Sequence, residues 1–361
     1  MRLSVTPEGP VDQLALLLNL APTPVPEVMF GMAGSRVLTV AARLGLFVAL
    51  ARPGQTLALL ATHCQVAPEG LLHLLGCLQA LGYVQVQAHD RAHEQTHDRA
   101  HEQTQVYALS SRARKWLDPA SDTYVGTFLD FNEDQWQWWS QLEGVLRSGR
   151  PFSIHQLDAD DPGWTRYITA MFELARLSAD EVAGLVPVPR GAQRLLDVAG
   201  GHGLFAAKLC AKQVSLRATV LDLPGSVRVG RALMQQHGYA QRVQHVEGDI
   251  FTAPLDGPYD VIVYFQTLRH FSPEQNLGLF KRLKQALAPG GVLAVMDYLA
   301  PDVGLAGGMG AFVGLNYYLT TGGALYSLRM LKSALADAGF SRLRVRSVLR
   351  LPFQKLVLAR A

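Results

Sequence analysis

The stretch LLDVAGGHGLFAAKL, residues 195–209, decides the fold. It combines a short apolar run, a glycine-rich turn and the start of a helix. Gly201, Gly203 and Ala206 fit the spacing G-x-G-x-x-A, in which glycines let a ligand approach the backbone and the helix N-terminus favours negative charge. Such a turn can also join a strand to a helix without any ligand. Asp222 strengthens the ligand interpretation, because an acid about 20 residues after the glycines is where a carboxylate meets ribose hydroxyls.

From residue 194 onward, short apolar runs alternate with helix-like segments. This alternation predicts a parallel sheet covered by helices on both faces, and so an α/β fold. Two last runs, RLRVRSVLR and FQKLVLARA, could close one edge of the sheet as a hairpin. The five earlier strand candidates are RLLDVAG, RATVLDL, RVQHVEGD, YDVIVYF and GVLAVMDYL.

The front half of the chain has a different pattern. Residues 34–87 carry helical spacing and then a short strand, and YVQVQ and QVYAL alternate like two arms of a hairpin. Helices followed by a hairpin are typical of a winged helix. Because 361 residues exceed one compact core, and glycines and prolines cluster between residues 149 and 163, we expect two domains, residues 1–160 and residues 161–361.

Composition excludes several classes of protein. Hydrophobic residues make up 49% and charged residues 17%, which indicates a globular chain. The net charge of +3 is too small to indicate a nucleic-acid or membrane surface. No apolar run approaches the roughly 18 residues of a membrane helix, and the N-terminal residues lack the order of a signal peptide. Three cysteines without a C-x-x-C pair predict a reducing, cytoplasmic location and no metal site.

An eight-residue repeat interrupts the hairpin, because HDRAHEQT occurs at 89–96 and again at 97–104. One interpretation is a lengthened polar loop tip, since loop closure costs little per added residue. The other is metal binding, because histidines four residues apart share one face of a helix. The histidines are His89, His93, His97 and His101.

Three further residues bear on the kind of ligand. Asp197 lies on the strand just before the glycines, where a carboxylate suits a cationic or amino-bearing ligand better than a pyrophosphate. S-adenosylmethionine offers a sulfonium, an ammonium and a ribose. Asp249 could accept a hydrogen bond from an adenine amino group, with Ile250 packing on the ring. The same glycine spacing is also found in nicotinamide-dependent oxidoreductases, but these residues argue against that class of enzyme.

The motifs LLDVAGGHG, VLDLPGSV, VEGDIF, DVIVYFQTLRHF and LAPGGVLAVMD occur in the order found in class I S-adenosylmethionine-dependent methyltransferases. With the winged-helix front, the chain resembles the small-molecule O-methyltransferases of the acetylserotonin, caffeate and polyketide-tailoring type, from about residue 30 to its C-terminus. The resemblance implies a Rossmann-like methyltransferase domain preceded by a mostly helical domain for homodimerisation and substrate capping. It also implies O-methylation of a small aromatic or polyketide-like hydroxyl in secondary metabolism.

The resemblance assigns residues to both ligands. On the substrate side, Met171 matches a methionine at the methyl-transfer site, and Trp136, Asn316 and Tyr317 lie near the pocket by position. Trp136 lies in a tryptophan-rich segment whose ordinary role is core or subunit interface. The cofactor positions are Gly200, Gly201, Gly203, Asp222, Asp249 and Ile250, with Ala199 where the family has its first glycine.

The catalytic loop departs from the family. Where relatives read Leu-His-Asp-Trp, with histidine as general base, residues 268–271 read LRHF. Arg269 occupies the base position and His270 the following acid position. The glutamate that often supports the base is absent from residues 324–326, which follow the later glycine pair.

Three explanations for Arg269 and His270 are open. His270 could turn into the site and act as base, because histidine titrates near neutrality. Arg269 could act as a fixed cation that stabilises a phenolate or binds a carboxylate, since arginine stays protonated. The chain could also bind the cofactor without methylating. Ser272 and Gln275 form a predicted capping box that fixes the next helix start, and an extended loop before it would point the two side chains apart.

A ligand-sensing winged-helix regulator is the hypothesis from another class. Its recognition helix would be APEGLLHLLGCLQALG, which contains no lysine or arginine. Phosphate contacts supply most non-specific DNA affinity, so this helix is a poor DNA reader. We therefore expect a small-molecule substrate and a second copy of the chain as partners, and no nucleic acid.

Overall fold

The computed structural model describes residues 9–20, 22–87, 105–304 and 307–360. The repeat at residues 89–104 lies outside the described residues, so both of its interpretations remain predictions. The chain forms two compact units, Met1–Glu133 and Asp134–Ala361.

The division between the units comes earlier in the chain than the boundary predicted at residue 160. Residues just after this division form hydrogen bonds within the second unit. Trp139 donates its indole N–H to the Asn316 side chain at 3.0 Å, and the Phe152 N–H bonds the Leu319 carbonyl at 2.9 Å.

The first unit is mostly helical, with a small sheet. Strand β2 pairs antiparallel with β3, and Val84 lies opposite Leu109, which confirms the predicted hairpin. Pro68 begins α5, and α5 buries Leu71, Leu75 and Leu78. The elements are α1 Pro10–Leu17, α2 Pro24–Arg43, α3 Leu46–Leu50, β1 Gln55–Thr56, α4 Leu57–Cys64, α5 Pro68–Ala80, β2 Val84–Gln87, β3 Val106–Leu109, α6 Ser111–Leu117 and α7 Gly126–Trp139, which continues into the second unit.

The second unit is built on a mixed sheet whose strand order is β10-β11-β8-β7-β4-β5-β6. All five predicted parallel strands form, and the last two strands pair antiparallel as the predicted edge hairpin. The strands are β4 Arg194–Val198, β5 Arg217–Asp222, β6 Val243–Glu247, β7 Tyr259–Phe265, β8 Leu287–Ala300, β9 Tyr326–Ser327, which pairs with β8, β10 Ser341–Ser347 and β11 Gln354–Arg360.

Helices cover both faces of this sheet, as the alternation predicted. Alternate residues of β7 enter two separate cores, with Val261 and Val263 on one face and Ile262 and Tyr264 on the other. This burial on both sides explains why the strand is a continuous apolar run. The helices are α8 Leu142–Ser148, α9 Pro162–Arg176, α10 Ala179–Leu185, α11 Leu204–Ala211, α12 Pro224–Gln236, α13 Pro273–Ala286, α14 Met309–Thr321 and α15 Leu328–Asp337.

The strand order locates the functional edge. From β4 the chain adds β5 and β6 on one side, and then β7 and β8 on the other. Ligands bind open α/β sheets outside the carboxyl ends of the strands, where the order reverses. The glycine turn follows β4 and the Arg269 turn follows β7, so both lie at this switch point. Within the described residues, no helix is long and apolar enough to cross a membrane.

Candidate active site

The glycine turn after β4 needs glycine for its backbone conformation. Gly201 and Gly203 have φ angles of +52° and +75°, in the left-handed region that L side chains rarely adopt. Ala199, which stands where the family has a glycine, also adopts a left-handed φ angle of +53°, although its side chain carries a Cβ. This conformation costs about 1–2 kcal/mol for a residue with a Cβ. The turn therefore adopts a strained shape that its contacts must maintain.

Asp222 at the end of β5 holds the turn in place. Its Oδ2 accepts the Gly201 N–H at 2.7 Å, and its Oδ1 accepts the Leu223 N–H at 2.7 Å. Burial raises the pKa of the Asp222 carboxyl, whereas these two N–H groups lower it. The acid predicted for a ribose therefore lies beside the predicted glycine loop.

Asp197 on β4 is buried, and hydrogen bonds do not fully compensate for the burial of its carboxyl group. Its side chain is 2% exposed, and its Oδ2 has no hydrogen-bond partner among the described residues. Burial, and then the nearby Asp222 charge, raise the pKa of the Asp197 carboxyl to about 8. A Cβ on Gly200 would lie 2.3 Å from the Asp197 Cγ, so only glycine fits there. A buried carboxyl with one unpartnered oxygen fits a ligand that carries a cationic group.

His245 on β6 supports the glycine turn. It was not among the site residues predicted from the sequence. Its Nε2 lies 2.9 Å from the Gly201 carbonyl oxygen. Gly230 of α12 leaves room for the imidazole, because a Cβ there would lie 2.3 Å from the His245 Nε2. Burial lowers the pKa of His245, so this contact is made by a neutral ring.

The predicted adenine pair follows β6. Asp249 is exposed, and its Oδ1 accepts the Phe251 N–H at 2.7 Å, which leaves Oδ2 available. Ile250 is buried. Both residues lie outside the set that lines the cleft described next, although they follow a strand of the same sheet edge.

One cleft connects the glycine turn with the Arg269 turn. Met171 of α9 and both predicted catalytic residues line it, as do Asp197 and Asp222. The full lining is His155, Trp164, Tyr167, Ile168, Met171, Asp197, Ala199, Gly200, Gly201, His202, Phe205, Asp222, Ser226, Phe265, Gln266, Thr267, Arg269 and His270.

Arg269 is fixed by a buried network. Its side-chain Nη1 donates to the Asp297 carboxylate on β8, and its Nη2 donates to the Tyr317 hydroxyl at 2.7 Å. Its guanidinium carbon lies 4.2 Å from the Tyr317 ring centre. Burial lowers the pKa of Arg269, but Asp297 and Tyr317 outweigh burial and hold that pKa above its ordinary value. The residue at the base position is therefore a permanent cation.

His270 and Arg269 both line the cleft, whereas an extended loop was predicted to point the two side chains apart. That prediction was wrong because Leu268–His270 form a 3-10 turn, in which successive side chains do not alternate. The His270 ring contacts the His155 ring at 4.9 Å and the Tyr317 ring at 4.8 Å between centres. Burial, and then His155 and Arg269, lower the pKa of His270 well below its ordinary value.

The turn is also shaped by the later glycine pair. A Cβ on Gly323 would lie 1.9 Å from the Arg269 carbonyl oxygen, so the backbones pack directly together. The predicted capping box is confirmed: Ser272 accepts the Gln275 N–H, and the Gln275 side chain accepts the Ser272 N–H.

The other residues predicted to contact the substrate are Tyr317, Asn316 and Trp136. The Tyr317 hydroxyl accepts a hydrogen bond from Arg269, the Asn316 side chain accepts one from Trp139, and neither residue lines the cleft. Trp136 is partly buried and is not part of the cleft lining. Among the residues that the structure describes, no cluster of three potential metal ligands occurs.

Comparison with known proteins decides the family. The sequence model of the O-methyltransferase domain matches residues 131–341. The chain belongs to this family. It is an S-adenosylmethionine-dependent O-methyltransferase, which confirms the resemblance seen in its motifs.

One relative and one solved structure agree with this assignment, and a second relative, matched over a short part of the chain, is a hydroxylase. The chain is 27% identical over 334 residues to the tetracenomycin polyketide synthesis 8-O-methyl transferase of Streptomyces glaucescens, covering 91% of this chain and 94% of that protein. The structure of human N-acetylserotonin methyltransferase in complex with SAM has the same fold, with a TM-score of 0.79, 20% identity and coverage of 99% of both chains. The aclacinomycin 10-hydroxylase of Streptomyces purpurascens is 35% identical over 105 residues, covering 29% of this chain and 28% of that protein.

Proposed function

We propose that this methyltransferase acts on a hydroxyl group of a small aromatic, polyketide-like natural product in secondary metabolism. The observation that carries the proposal is Arg269, a buried permanent cation that lines the same cleft as Asp197, whose Oδ2 has no hydrogen-bond partner among the described residues. The polyketide O-methyltransferase among the relatives supports this substrate class.

The residues around the glycine turn fit S-adenosylmethionine. We assign the ribose hydroxyls to Asp222 and the ammonium group to Asp197, because Asp197 Oδ2 lacks a partner among the described residues. Asp249 and Ile250 hold the adenine in this proposal. Gly200, Gly201 and Gly203 let the backbone approach the ligand.

The bound cofactor supplies an electrophilic methyl group, and this chain supplies orientation and charge. Holding two reactants in line contributes about 7–11 kcal/mol to such a reaction. Arg269 cannot act as a base, but its fixed charge stabilises the oxyanion form of the acceptor. We propose that Met171, which lines the cleft, positions the acceptor ring, and that Tyr317 acts through its hydrogen bond to Arg269. Trp136 and Asn316 lie outside the cleft lining and stay predictions from the sequence.

Matched acceptors test the proposal. With 1-naphthol and S-adenosylmethionine, we expect a methyl ether and one S-adenosylhomocysteine per ether, detected by liquid chromatography and mass spectrometry. With 1-naphthylamine of the same shape, we expect little product. Preferential methylation of the amine would contradict a hydroxyl acceptor.

A second candidate is an enzyme that binds the cofactor and performs other chemistry. Its support is that Arg269, which stays protonated, cannot act as a general base, together with the local similarity to a hydroxylase. It predicts a product that gains oxygen, whereas methyl transfer predicts a product that gains a methyl group.

The substitution Gly200→Ala should weaken S-adenosylmethionine binding. The added Cβ would lie 2.3 Å from the Asp197 Cγ and would displace the carboxyl that we assign to the ammonium group. A hydrogen bond to a charged group contributes about 1.5–3 kcal/mol, so we expect a loss of about 10- to 150-fold in affinity. Gly144→Ala is the control, because its Cβ meets open space on α8. Titration calorimetry measures both, and equal affinities would contradict the close approach.

Cofactor affinity should rise with pH. The Asp197 pKa of about 8 means that its carboxyl is protonated at neutral pH in the free protein. A bound ammonium favours the ionised form of Asp197, so binding of the cofactor releases a proton from this carboxyl. We therefore expect the affinity for S-adenosylmethionine to rise by up to about tenfold per pH unit between about pH 6 and about pH 7.5. The same raised pKa means that folding is destabilised as pH rises toward 8. Asp197→Asn should flatten the affinity profile, and a wild-type profile that is already flat would contradict the assignment.

We propose that the front domain, predicted over residues 1–160, forms a homodimer and caps the substrate. Its first two helices expose a large apolar surface, which is typical of a protein interface. The exposed residues are Val11, Leu14, Leu17, Leu18, Leu20, Val25, Val28, Met29, Phe30 and Met32.

The substitution Phe30→Asp should shift the protein toward monomer, because Phe30 is 72% exposed within this surface. Leu349→Asp, at an exposed position of the second unit, should leave the mass unchanged. Sedimentation velocity measures both variants. A dimer that persists in Phe30→Asp and dissociates in Leu349→Asp would place the interface elsewhere.

A cytoplasmic location is the last part of the proposal. All three cysteines, Cys64, Cys77 and Cys210, are free, which is expected in a reducing compartment.

A further inference from the structure

The hairpin formed by β10 and β11, residues 341–360, concentrates positive charge. It contains five arginines, one lysine and no aspartate or glutamate, whereas the whole chain has a net charge of only +3. Acids therefore outnumber lysines and arginines in the rest of the chain. The cations of the hairpin are Arg342, Arg344, Arg346, Arg350, Lys355 and Arg360.

Three of these residues, Arg342, Arg344 and Arg346, form an arginine row without counter-charge. All three are exposed, and none of their side chains forms a hydrogen bond or an ion pair in the described part of the chain. The carboxylate of Glu181, which contacts this hairpin, accepts two backbone N–H groups of the turn after β10 instead. The arginine row is therefore available to a negatively charged group from outside the chain.

The strand that carries the arginine row has an open edge. β10 is the last strand of the sheet and pairs with β11, and no other described strand pairs with it. The register shifts between Ser341 and Arg344, so residues 344–347 are the regular part of this edge. Arg344 and Arg346 lie on one face there, about 7 Å apart along the strand, because side chains alternate. Backbone groups on the open side can pair with another extended chain.

We propose that an acidic, extended segment of another protein docks on β10 as an added strand. Its backbone pairs with the open edge, and carboxylates at every second position bind Arg344 and Arg346. Arginine suits this contact, because its planar guanidinium binds a carboxylate through two parallel hydrogen bonds. The regular edge is short, so the charges decide which partner binds. The docking surface does not depend on methyl transfer.

Other occupants fit this edge less well. A second copy of the chain would bring two arginine rows opposite each other, and like charges across a strand pair are destabilising. A nucleic acid would meet the charges but would leave the open backbone groups unpaired. Charges can also protect an edge strand from aggregation, but lysine is the usual residue for that role, whereas this row is arginine alone.

A labelled peptide of about eight residues, alternating glutamate and valine, is the probe for this edge. Fluorescence anisotropy at about 0.15 M salt measures its affinity, since long-range attraction is screened there. The double change Arg344→Glu with Arg346→Glu should weaken binding by at least about tenfold, because repulsion replaces both ion pairs. Arg52→Glu with Arg190→Glu makes the same change in net charge at exposed positions elsewhere, and should alter binding by less than about twofold.

Equal losses in the two double variants would overturn the docking surface, as would no binding to the wild type up to about 1 mM peptide. Circular dichroism checks that both variants fold. Arg344→Gln with Arg346→Gln removes the charges without reversing them, and should weaken binding by about fivefold, since two exposed ion pairs are lost.

A second peptide tests strand addition separately from charge. With a methyl group on every backbone nitrogen, the same sequence keeps its carboxylates but cannot donate to β10, so it should bind at least about tenfold less tightly. Equal binding of the two peptides would rule out an added strand. A thymidine oligonucleotide that bound more tightly than the acidic peptide, and was lost in the same double variant, would assign the arginine row to nucleic acid instead.

Discussion

Asp297→Ala should lower the free energy of unfolding by about 3–5 kcal/mol, because it leaves the Arg269 guanidinium buried without its carboxylate. Asp297 is fully buried and accepts bonds from the Arg269 side chain, the Arg269 N–H and the Tyr298 N–H. Urea denaturation followed by circular dichroism measures the change.

An exposed pair provides the control for Asp297→Ala. Glu143 and Arg147 also form an arginine–carboxylate pair, at 2.8 Å, but both side chains are largely exposed. Glu143→Ala should therefore change stability by no more than about 0.5 kcal/mol. The double change Arg269→Met with Asp297→Leu should recover most of the lost stability, since apolar replacement of a buried pair is often neutral. If Asp297→Ala costs no more than Glu143→Ala, the buried pair is not formed in solution.

Arg269→Ala should lower kcat for 1-naphthol by about 10²–10³-fold, the usual effect of removing one group that stabilises an oxyanion. Cofactor affinity should change by less than about twofold, because the glycine turn and Asp222 are untouched. Arg269→Lys should restore little activity, since an ammonium cannot bond Asp297 and Tyr317 as the planar guanidinium does. Steady-state kinetics and calorimetry separate the two effects.

The pH profile distinguishes a fixed charge from a titrating group at position 269. In the wild type, no ionisation of residue 269 should appear in kcat below about pH 10, because the guanidinium stays charged. If Arg269→Ala removed a limb of the profile within that range, residue 269 would be acting in proton transfer.

Much of the fold follows from local pattern. The run at residues 259–265 predicted a strand because β7 is buried on both faces, and SPEQ predicted the start of α13 because both capping bonds are local. Asp222 was predicted because its distance from the glycines is set by one strand–helix–strand unit. These features depend on neighbours in the sequence.

The site features that sequence reasoning missed depend on distant residues. His155 lies on a short 3-10 turn far from His270 in sequence, and no periodic pattern marks it. Asp297 carried a readable signal, since an acid within the apolar run GVLAVMDYL must find a buried cation or hydrogen bonds. The side-chain directions of Arg269 and His270 depended on a 3-10 turn, which packs against Gly323 of another segment.

The most direct test of methyl transfer in this cleft uses S-adenosylmethionine with a trideuterated methyl group and 1-naphthol as acceptor. Mass spectrometry of the product should show one trideuteromethyl group in place of the hydroxyl hydrogen, with one S-adenosylhomocysteine released per product. A product that gains oxygen and no deuterium, or cofactor that binds and remains intact, would contradict methyl transfer by this protein.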